Sequence, residues 1–366
     1  MAIRVAINGF GRIGRIVTRV AKMRHEFDIV AVNDLGEGEQ LAALFKYDST
    51  HGIFPGDVSY ENGKLSVDGD TFEFIKETKP GNLPWKAMGV DYVVESSGVF
   101  RKRADLEQHL TAGARRVVLT VPAKDAIDAT IVLGVNDHEL KPEHKLLSNA
   151  SCTTNCAAPM AKVLHDRFRI KRGALNTVHA FTNDQHLMDG PHKSDSRRAR
   201  MATQSIIPTD TGAHSAIGKV LPDLKGKLTG MAMRVPVIDG SITDMVVEVE
   251  KTVTVEEVNQ AFIDAVKGPM GAVMQVNVKE PIVSVDIIGN PFSCIIDAEL
   301  TDVVDGNIVR VCGWYDNEWG YANRVVDLIE RMAKQDGHDV AFTPHGISNY
   351  RKLQKGTRRL DAGTEQ

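Results

Sequence analysis

The chain of 366 residues is too long for one compact core and predicts two domains. Its net charge of −4 shows no bias towards polyanions, and it has no run of about 18 apolar residues that could span a membrane. The first residues enter a strand without the pattern of a signal peptide, and the four cysteines are too scattered for a disulfide framework. We therefore expect a cytoplasmic protein that binds neither membrane nor nucleic acid.

The first predicted element is an apolar strand that runs directly into a glycine-rich turn. The strand IRVAIN spans residues 3–8, and the GFGRIG that follows places Gly9, Gly11 and Gly14 in the order G-x-G-x-x-G. In such a turn the first glycine allows a tight bend, the second admits a pyrophosphate and the third lets helix and strand pack closely. The next helix would present its N-terminal N–H groups to that pyrophosphate.

A second predicted strand, DIVAVN at 28–33, ends next to Asp34. An acidic residue about 20 positions after the glycine motif meets the adenosine ribose hydroxyls of a dinucleotide. Its carboxylate also repels a 2′-phosphate, so we expect NAD rather than NADP as the cofactor. The alternative is a strand–helix turn that binds no ligand.

Strands and helices alternate up to about residue 150. Strands are predicted at 90–98, 115–122 and 129–135, and a helix at 103–114. This alternation predicts a doubly wound parallel sheet, that is, an α/β Rossmann dinucleotide-binding domain. Residues 48–85, rich in glycine, proline and charge, are expected to form an excursion at the edge of this sheet.

After residue 151 the predicted strands follow one another without regular helices between them. Helices are predicted at 153–168, 254–268 and 319–334, and strands at 173–181, 230–238, 241–253, 282–287, 293–298 and 307–314. This pattern predicts an α+β catalytic domain with a mostly antiparallel sheet over 152–317. The Rossmann domain would comprise 1–151 and 318–335, and 336–366 would be a polar C-terminal extension.

Two of the cysteines lie in SNASCTTNC, residues 148–156. Cys152 precedes a helix expected to begin at Thr153, and the N–H groups of a helix N-terminus stabilise a thiolate. Cys156 lies one turn inside that helix, without those donors, and is expected to be a small buried side chain. No other cysteine or histidine pair has ligand-like spacing, so we expect no metal. Cys152 is therefore the candidate nucleophile.

A nucleophilic thiolate needs an imidazole nearby. Of the twelve histidines, His179 is the candidate, because it lies near the end of an apolar strand from which its ring could enter a cleft. His51, His138 and His165 lie in polar or helical contexts and are expected at the surface.

Groups that bind anions cluster in the second domain. They occur in RRAR at 197–200, in TDTG at 209–212 and at Arg234. Guanidinium groups bind phosphate through two parallel hydrogen bonds. Arg234 is flanked by apolar strand residues, and a buried arginine requires a partner.

Seven segments of the chain resemble the phosphorylating glyceraldehyde-3-phosphate dehydrogenase family. Spread over residues 2–334, they are INGFGRIGR, KYDSTHG, SNASCTTNC, HAFTNDQ, SIIPTDTGA, GKLTGMAMRVP and WYDNEWGYANR. The resemblance implies that Cys152 is the nucleophile and His179 its base. It implies oxidative phosphorylation of D-glyceraldehyde 3-phosphate to 1,3-bisphosphoglycerate with reduction of NAD, in glycolysis or gluconeogenesis, by a homotetramer.

The resemblance also implies binding roles for individual residues. Besides the three glycines, the implied contacts to NAD are Arg12, Ile13, Asp34, Thr120 and Asn317. The implied site of the attacking inorganic phosphate comprises Ser151, Thr153, Thr211 and Gly212. The groups implied to hold the substrate phosphate are Thr182, Arg234 and either Arg198 or Arg197.

Three other functions stay open from the sequence. Erythrose-4-phosphate dehydrogenase shares the fold and the cysteine motif, although Thr182 in HAFTND follows the glyceraldehyde-3-phosphate pattern. A scaffold that binds NAD or RNA without catalysis would be expected to have lost Cys152 or His179. A cysteine hydrolase would have no need of the nucleotide-binding turn.

Overall fold

The computed structural model describes residues 3–24 and 27–340. Most of its strands form two large sheets, one from residues before 149 and one from residues after 169. Most of the predicted polar extension, from residue 341 to 366, lies outside the described residues. Within the part of the chain described, no helix is long and apolar enough to cross a membrane.

The first unit alternates short strands with helices. Its strands are β1 (Arg4–Asn8), β2 (Asp28–Asn33), β3 (Tyr47–Asp48), β4 (Gly52–Ile53), β5 (Val58–Glu61), β6 (Lys64–Val67), β7 (Asp70–Ile75), β8 (Tyr92–Glu95), β9 (Arg116–Leu119), β10 (Ala129–Thr130) and β11 (Leu146–Ser148). Its helices are α1 (Arg12–Arg24), α2 (Gly38–Lys46) and α3 (Arg103–Thr111).

The strands of this unit form a nine-stranded sheet in the order β10-β11-β9-β8-β1-β2-β7-β6-β5. β1 pairs in parallel with both β2 and β8, so the strand order reverses beside β1. Ligands of doubly wound sheets bind at this reversal, outside the carboxyl ends of the strands. The antiparallel strands β5 to β7 lie at one edge, which confirms the excursion predicted within residues 48–85.

The second unit has one long helix followed mainly by strands. Its strands are β12 (Ile170–Ala180), β13 (Ile207–Asp210), β14 (Leu228–Val235), β15 (Ser241–Val249), β16 (Met274–Asn277), β17 (Cys294–Val304) and β18 (Ile308–Tyr315). The remaining helices are α4 (Cys152–Phe168), α5 (Ala213–Val220), α6 (Val255–Ala265) and α7 (Trp319–Gln335).

These strands form a seven-stranded sheet in the order β13-β14-β12-β15-β18-β17-β16. Four pairings are antiparallel and two are parallel, which confirms the predicted α+β domain with a mostly antiparallel sheet. Helix α4 packs on one face of the sheet through Cys156, Met160 and Leu164, all fully buried. The other face carries exposed Met231 and Val246.

The strand predicted at 282–287 is wrong. Ser284–Ile287 form a turn of 3-10 helix, in which only Ile287 is buried while Val283 and Val285 are exposed. The Asp286 carboxylate accepts the backbone N–H of Val283 at 2.8 Å. Such a local bond between side chain and backbone competes with the ladder of a strand.

The last helix packs against the first unit. Arg24 of α1 forms buried ion pairs with Asp327, at 2.6 Å, and with Glu330 of α7. Arg116 of β9 donates to the carbonyl of Met332 at 3.4 Å. The last helix, α7, therefore packs against the unit that contains the first strand of the chain. The domain limits 1–151 with 318–335, and 152–317, stay a prediction.

We predict that the Arg24 ion pairs carry much of this docking. Arg24→Met removes the cation paired with Glu330, whose side chain is fully buried, and should lower the free energy of unfolding by about 3 kcal/mol. Urea denaturation would measure the change. Arg103→Met is the control, because its ion pairs are exposed and should contribute less than about 1 kcal/mol. Equal losses in the two variants would contradict the prediction.

Candidate active site

The turn between β1 and α1 is shaped by its three glycines. Gly9 has a φ of +94°, and a Cβ there would lie 2.4 Å from the Cα of Ser97. A Cβ on Gly14 would lie 2.1 Å from the carbonyl oxygen of Gly9. At Gly11 a Cβ would meet no atom of the described residues within 4 Å, so the backbone there faces open space among them. This open space beside the N-terminus of α1 fits the pyrophosphate of a dinucleotide.

The carboxyl end of β2 on one side of β1, and those of β8 and β9 on the other, lie around this turn. Asp34 follows β2, and its carboxylate accepts the N–H of Phe10 at 2.7 Å and that of Gly36 at 2.8 Å. These bonds hold the half-buried carboxylate beside the glycine turn. Thr120 follows β9 and donates both its N–H and its hydroxyl to the carbonyl of Glu95, at the end of β8.

The side chain of Arg12 is held by protein carboxylates. Its guanidinium forms ion pairs with Asp48, at 3.2 Å, and with Glu318. What Arg12 and Ile13 offer a ligand is therefore their backbone N–H groups, because the first N–H groups of a helix have no partner within it. The guanidinium instead ties α1 to the segment that precedes α7.

The prediction that His51 lies at the surface is wrong. Its side chain is only 3% exposed, with Nε2 3.3 Å from Glu318 and 3.5 Å from Asp239. The charges of Asp316 and Glu318 outweigh the opposing effect of burial and raise the pKa of His51. Burial and the neighbouring Asp316 raise the pKa of Asp239 to about 11. His165 is also buried rather than at the surface.

Three potential metal ligands, His51, Asp239 and Asp316, lie close together near Glu318. Their potential ligand atoms lie within 4.8 Å of one another. However, the Asp316 carboxylate already accepts the backbone N–H groups of Gly289, at 2.7 Å, and of Trp319, at 2.6 Å. Backbone donors therefore partner the Asp316 carboxylate, while burial and the neighbouring Asp316 favour the protonated form of Asp239.

Cys152 is the first residue of α4, one position earlier than predicted. Ser151 caps the helix, since its Oγ accepts the N–H of Thr154 at 3.1 Å. The Sγ of Cys152 lies 3.5 Å from Nε2 of His179, the penultimate residue of β12. Cys156 is fully buried one turn further on, and its thiol lies 3.5 Å from the carbonyl of Gly313.

Arg234 lies beside the imidazole, because β14 and β12 pair His179 directly with Arg234. Its Nη1 is 2.8 Å from Nδ1 of His179 and 3.2 Å from the carbonyl oxygen of Ala180. The same carbonyl oxygen lies 2.7 Å from Nδ1 of His179. Burial and the charge of Arg234 lower the pKa of His179 to about 3. Burial raises the pKa of Cys152 to about 11, against the opposing effects of Arg234 and of hydrogen bonds from Thr153.

Tyr315 connects α4 and β12, the two elements that carry Cys152 and His179. Its hydroxyl lies 2.9 Å from the hydroxyl of Thr153 on α4 and 2.8 Å from that of Thr177 on β12. Its ring meets the ring of His179 edge-on at 6.0 Å. The hydroxyl of Thr153 is therefore engaged within the protein, while its backbone N–H remains at the helix terminus.

Asn317 lies between β18 and α7, close to the same strand. Its Oδ1 accepts the hydroxyl of Ser241 at 2.7 Å, and the Oγ of Ser241 accepts the N–H of Ala180 at 3.1 Å. Sequence reasoning missed Ser241. The sequence carries no signal for it, because its partners lie 61 and 76 positions away in the chain.

The candidate anion-binding residues lie in three places. Thr182 follows β12, and Thr211 and Gly212 precede α5, where Thr211 accepts the N–H of Ala213 at 3.3 Å. Arg198 forms ion pairs with Asp184 and Asp195 in the irregular segment 181–206, and its charge contributes to lowering the pKa of Arg234. Arg197 is exposed and lines a depression of about 450 Å³ together with Thr209 and Asp210.

The fold and this geometry define a class of protein, an oxidoreductase that sets a nucleotide-binding turn beside a thiol–imidazole pair. Residues 3–103 match the family model for the NAD binding domain of glyceraldehyde 3-phosphate dehydrogenase, and residues 151–317 match the model for its C-terminal domain. The chain belongs to the glyceraldehyde-3-phosphate dehydrogenase family, whose members are NAD-dependent oxidoreductases.

Similar proteins cover almost the whole chain. Glyceraldehyde-3-phosphate dehydrogenase 2 of Streptomyces avermitilis is 51% identical over 337 residues, 92% of this chain and 100% of that protein. Glyceraldehyde-3-phosphate dehydrogenase of Geobacillus stearothermophilus is 52% identical over 92% of this chain and 99% of its own length. The enzyme of that name from Thermotoga maritima is 54% identical over 90% and 99%.

We predict that Arg234 promotes ionisation of Cys152. Because the guanidinium lowers a thiol pKa that burial raises, Arg234→Gln should move the pH profile of iodoacetamide alkylation about one unit higher. Below the pKa the thiolate fraction rises tenfold per pH unit, so alkylation at pH 8 should slow about tenfold. Mass spectrometry of the Cys152 peptide would follow the reaction. Arg172→Gln, at the far end of β12, should leave the profile unchanged; a shift there of equal size would refute the assignment.

Proposed function

We propose that the chain oxidises and phosphorylates D-glyceraldehyde 3-phosphate to 1,3-bisphosphoglycerate with reduction of NAD, using Cys152 as the nucleophile. The observation that carries the proposal is the 3.5 Å contact of Cys152 with His179 at the N-terminus of α4, in a chain of this family. A thiol and an imidazole within reach are the requirement for covalent catalysis on a carbonyl. The sequence alternative, erythrose-4-phosphate dehydrogenase, is not favoured by the relatives.

The first step begins from an uncharged pair. With the pKa of Cys152 raised to about 11 and that of His179 lowered to about 3, thiol and imidazole are both neutral at pH 7. A neutral imidazole can take a proton, so the S–H proton passes to Nε2 as the sulfur attacks the aldehyde carbon. The carbonyl oxygen becomes an oxyanion, which the N–H of Cys152 can stabilise, and then receives the proton to form a thiohemiacetal.

The second step leaves a thioester on Cys152. His179 takes the hydroxyl proton of the thiohemiacetal while the hydride leaves the same carbon. NAD, when bound, would supply the acceptor for that hydride. Residues that would hold it are Gly9, Gly11 and Gly14 with the N–H groups of Arg12 and Ile13, and Asp34, Thr120 and Asn317.

The third step returns the enzyme to its starting state. An oxygen of inorganic phosphate attacks the thioester carbon, and Cys152 leaves as a thiol with the proton from His179. The acyl phosphate formed conserves energy that hydrolysis would release. We assign the attacking phosphate to Ser151, Thr153, Thr211 and Gly212.

The substrate phosphate is assigned to Thr182, Arg198 and Arg234. Two guanidiniums close enough to influence each other's charge favour an anion between them. This supports Arg198, which is half-buried, over Arg197, which is exposed. Arg234 also contacts His179, so it can orient the substrate relative to the base.

We further propose a cytoplasmic homotetramer. The outer face of the seven-stranded sheet exposes Met231 and Val246, and the irregular segment 181–206 exposes Leu187, Met188 and Ile206. Apolar side chains grouped in this way mark surfaces that bind another protein. A second copy of the chain is the partner that closed symmetry would supply.

Replacing each cysteine tests the nucleophile. Cys152→Ser should lower the rate of NADH formation on the order of a thousandfold or more, because a hydroxyl is a far weaker nucleophile. Cys156→Ser should keep most of the activity, since its side chain is buried away from the pair and a hydroxyl can still reach Gly313. Initial rates would be measured with glyceraldehyde 3-phosphate and with erythrose 4-phosphate, each with and without inorganic phosphate. An active Cys152→Ser enzyme would overturn the proposal.

The preference for NAD tests Asp34. A carboxylate facing a 2′-phosphate costs about 2 kcal/mol, so the ratio of kcat/KM for NAD over NADP should fall at least tenfold in Asp34→Asn. Glu37→Gln is the control, because this nearby acid is exposed and pairs with Lys76 at the surface. An unchanged ratio in Asp34→Asn would show that this carboxylate does not determine the preference for NAD over NADP.

Light scattering tests the assembly. At micromolar concentration the chain should have four times its monomer mass, and Val246→Asp should reduce that mass by placing charge on the exposed sheet face. Val285→Asp, which is also exposed but lies in the 3-10 turn, should leave the mass unchanged. A monomeric parent chain would refute the tetramer.

A further inference from the structure

One buried hydroxyl connects the catalytic strand with Asn317. Ser241, the first residue of β15, is fully buried, and Asn317 is 5% exposed. The Oγ of Ser241 accepts the backbone N–H of Ala180 at 3.1 Å and donates to Oδ1 of Asn317 at 2.7 Å. The carbonyl oxygen of the same Ala180 is in hydrogen-bond contact with Nδ1 of His179. The peptide group next to the base and the amide of Asn317 are thus held by a common side chain.

The two bonds of Ser241 determine which way the Asn317 amide points. Because Ala180 donates to the hydroxyl oxygen, the hydroxyl hydrogen needs an acceptor of its own, and a buried hydroxyl cannot find one in water. Oδ1 of Asn317 is that acceptor, at a length typical of an O–H···O bond. With the amide reversed, Nδ2 would face the hydroxyl and this hydrogen would have no partner.

The orientation leaves a donor on the side of the amide away from Ser241. Within residues 3–24 and 27–340, no protein acceptor lies within hydrogen-bonding distance of Nδ2 of Asn317. A carbonyl oxygen on a ligand is the complementary group for such a donor. The nicotinamide of NAD carries one in its carboxamide.

We propose that Ser241 is a positioning residue, which fixes the Asn317 amide with Nδ2 directed at the carboxamide oxygen of the nicotinamide. This inference rests on the proposed role of Asn317 in binding NAD. Ser241 itself does not touch the cofactor. It makes the orientation of the nicotinamide depend on Ala180, the residue whose carbonyl contacts Nδ1 of His179.

Thr243 provides a matched comparison on the same strand. It is fully buried and lies two residues further along β15, so its side chain is on the same face as that of Ser241. Its hydroxyl makes no hydrogen bond with the described residues. Thr243→Val therefore removes a buried hydroxyl of β15 without removing any contact to Asn317.

The test compares NAD with ADP-ribose, which lacks the nicotinamide, by titration calorimetry on the full chain. Ser241→Ala should weaken NAD binding about five- to tenfold, because the amide can then rotate away, and should change ADP-ribose binding less than twofold. Ser241→Thr, which keeps the hydroxyl, should bind NAD as tightly as the parent chain does. Thr243→Val should leave both affinities unchanged.

A double variant separates positioning from an independent effect. If Ser241 acts through Asn317, Ser241→Ala should cost NAD affinity in the parent chain but not in a chain that already carries Asn317→Ala. Equal additional loss in both backgrounds, or equal weakening of NAD and ADP-ribose, would overturn the proposal. If Asn317→Ala alone leaves NAD affinity unchanged, the fault lies instead in the proposed role of Asn317.

Asn317→Asp provides a test that leaves Ser241 in place. Ser241 can still donate to one carboxylate oxygen, and the other oxygen then faces the ligand as an acceptor instead of a donor. The preference for NAD over ADP-ribose should fall about tenfold or more. A preserved preference would show that the orientation of this amide does not matter, and this result holds even if Ser241→Ala fails to fold.

Discussion

The active site depends on where α4 begins. The helix is anchored by apolar side chains that pack on the seven-stranded sheet, and its N-terminus is fixed by the cap from Ser151. These constraints place Cys152 in contact with His179. Strand pairing of β12 with β14 in turn holds His179 beside Arg234. A shift of one helical residue would rotate the thiol by about 100° and carry it away from the imidazole.

Two polar networks support the nucleotide-binding turn and the thiol–imidazole pair. In one, Arg12 of the glycine turn pairs with Glu318, which contacts His51. In the other, Ser241 joins Asn317 to the peptide group beside His179. Glu318 and Asn317 are adjacent in the chain, so the short segment before α7 carries both networks. Hydrogen bonds and ion pairs of this kind rigidify the groups that they join.

The sequence predicts those features that arise from neighbouring residues. The glycine turn, the strand before it and the acid after it lie within residues 3–34, and the start of α4 is marked by Ser151 and Cys152. Features that need distant partners are not predictable in this way. His51 follows a polar turn and reads as a surface residue, yet Asp239 and Asp316 from the second half of the chain enclose it.

The strand expected at 282–287 fails for a different reason. Its alternating apolar residues match a strand, but the single bond from Val283 to the Asp286 side chain favours a turn. Arg197 and Arg198 are adjacent residues of the same type, and only their contacts in the structure distinguish their roles. Sequence periodicity carries no information on which of two neighbours faces inward within an irregular segment.

The position of α7 also affects how the chain folds during synthesis. Residues of α1 bury themselves against α7, and the charged side chains between them are shielded from water. When the first 150 residues have left the ribosome, this surface is still uncovered, and the whole second unit must be made before α7 emerges. The nucleotide-binding unit, although first in the chain, therefore completes its core last, which leaves an apolar helix face for chaperones to bind in the interval.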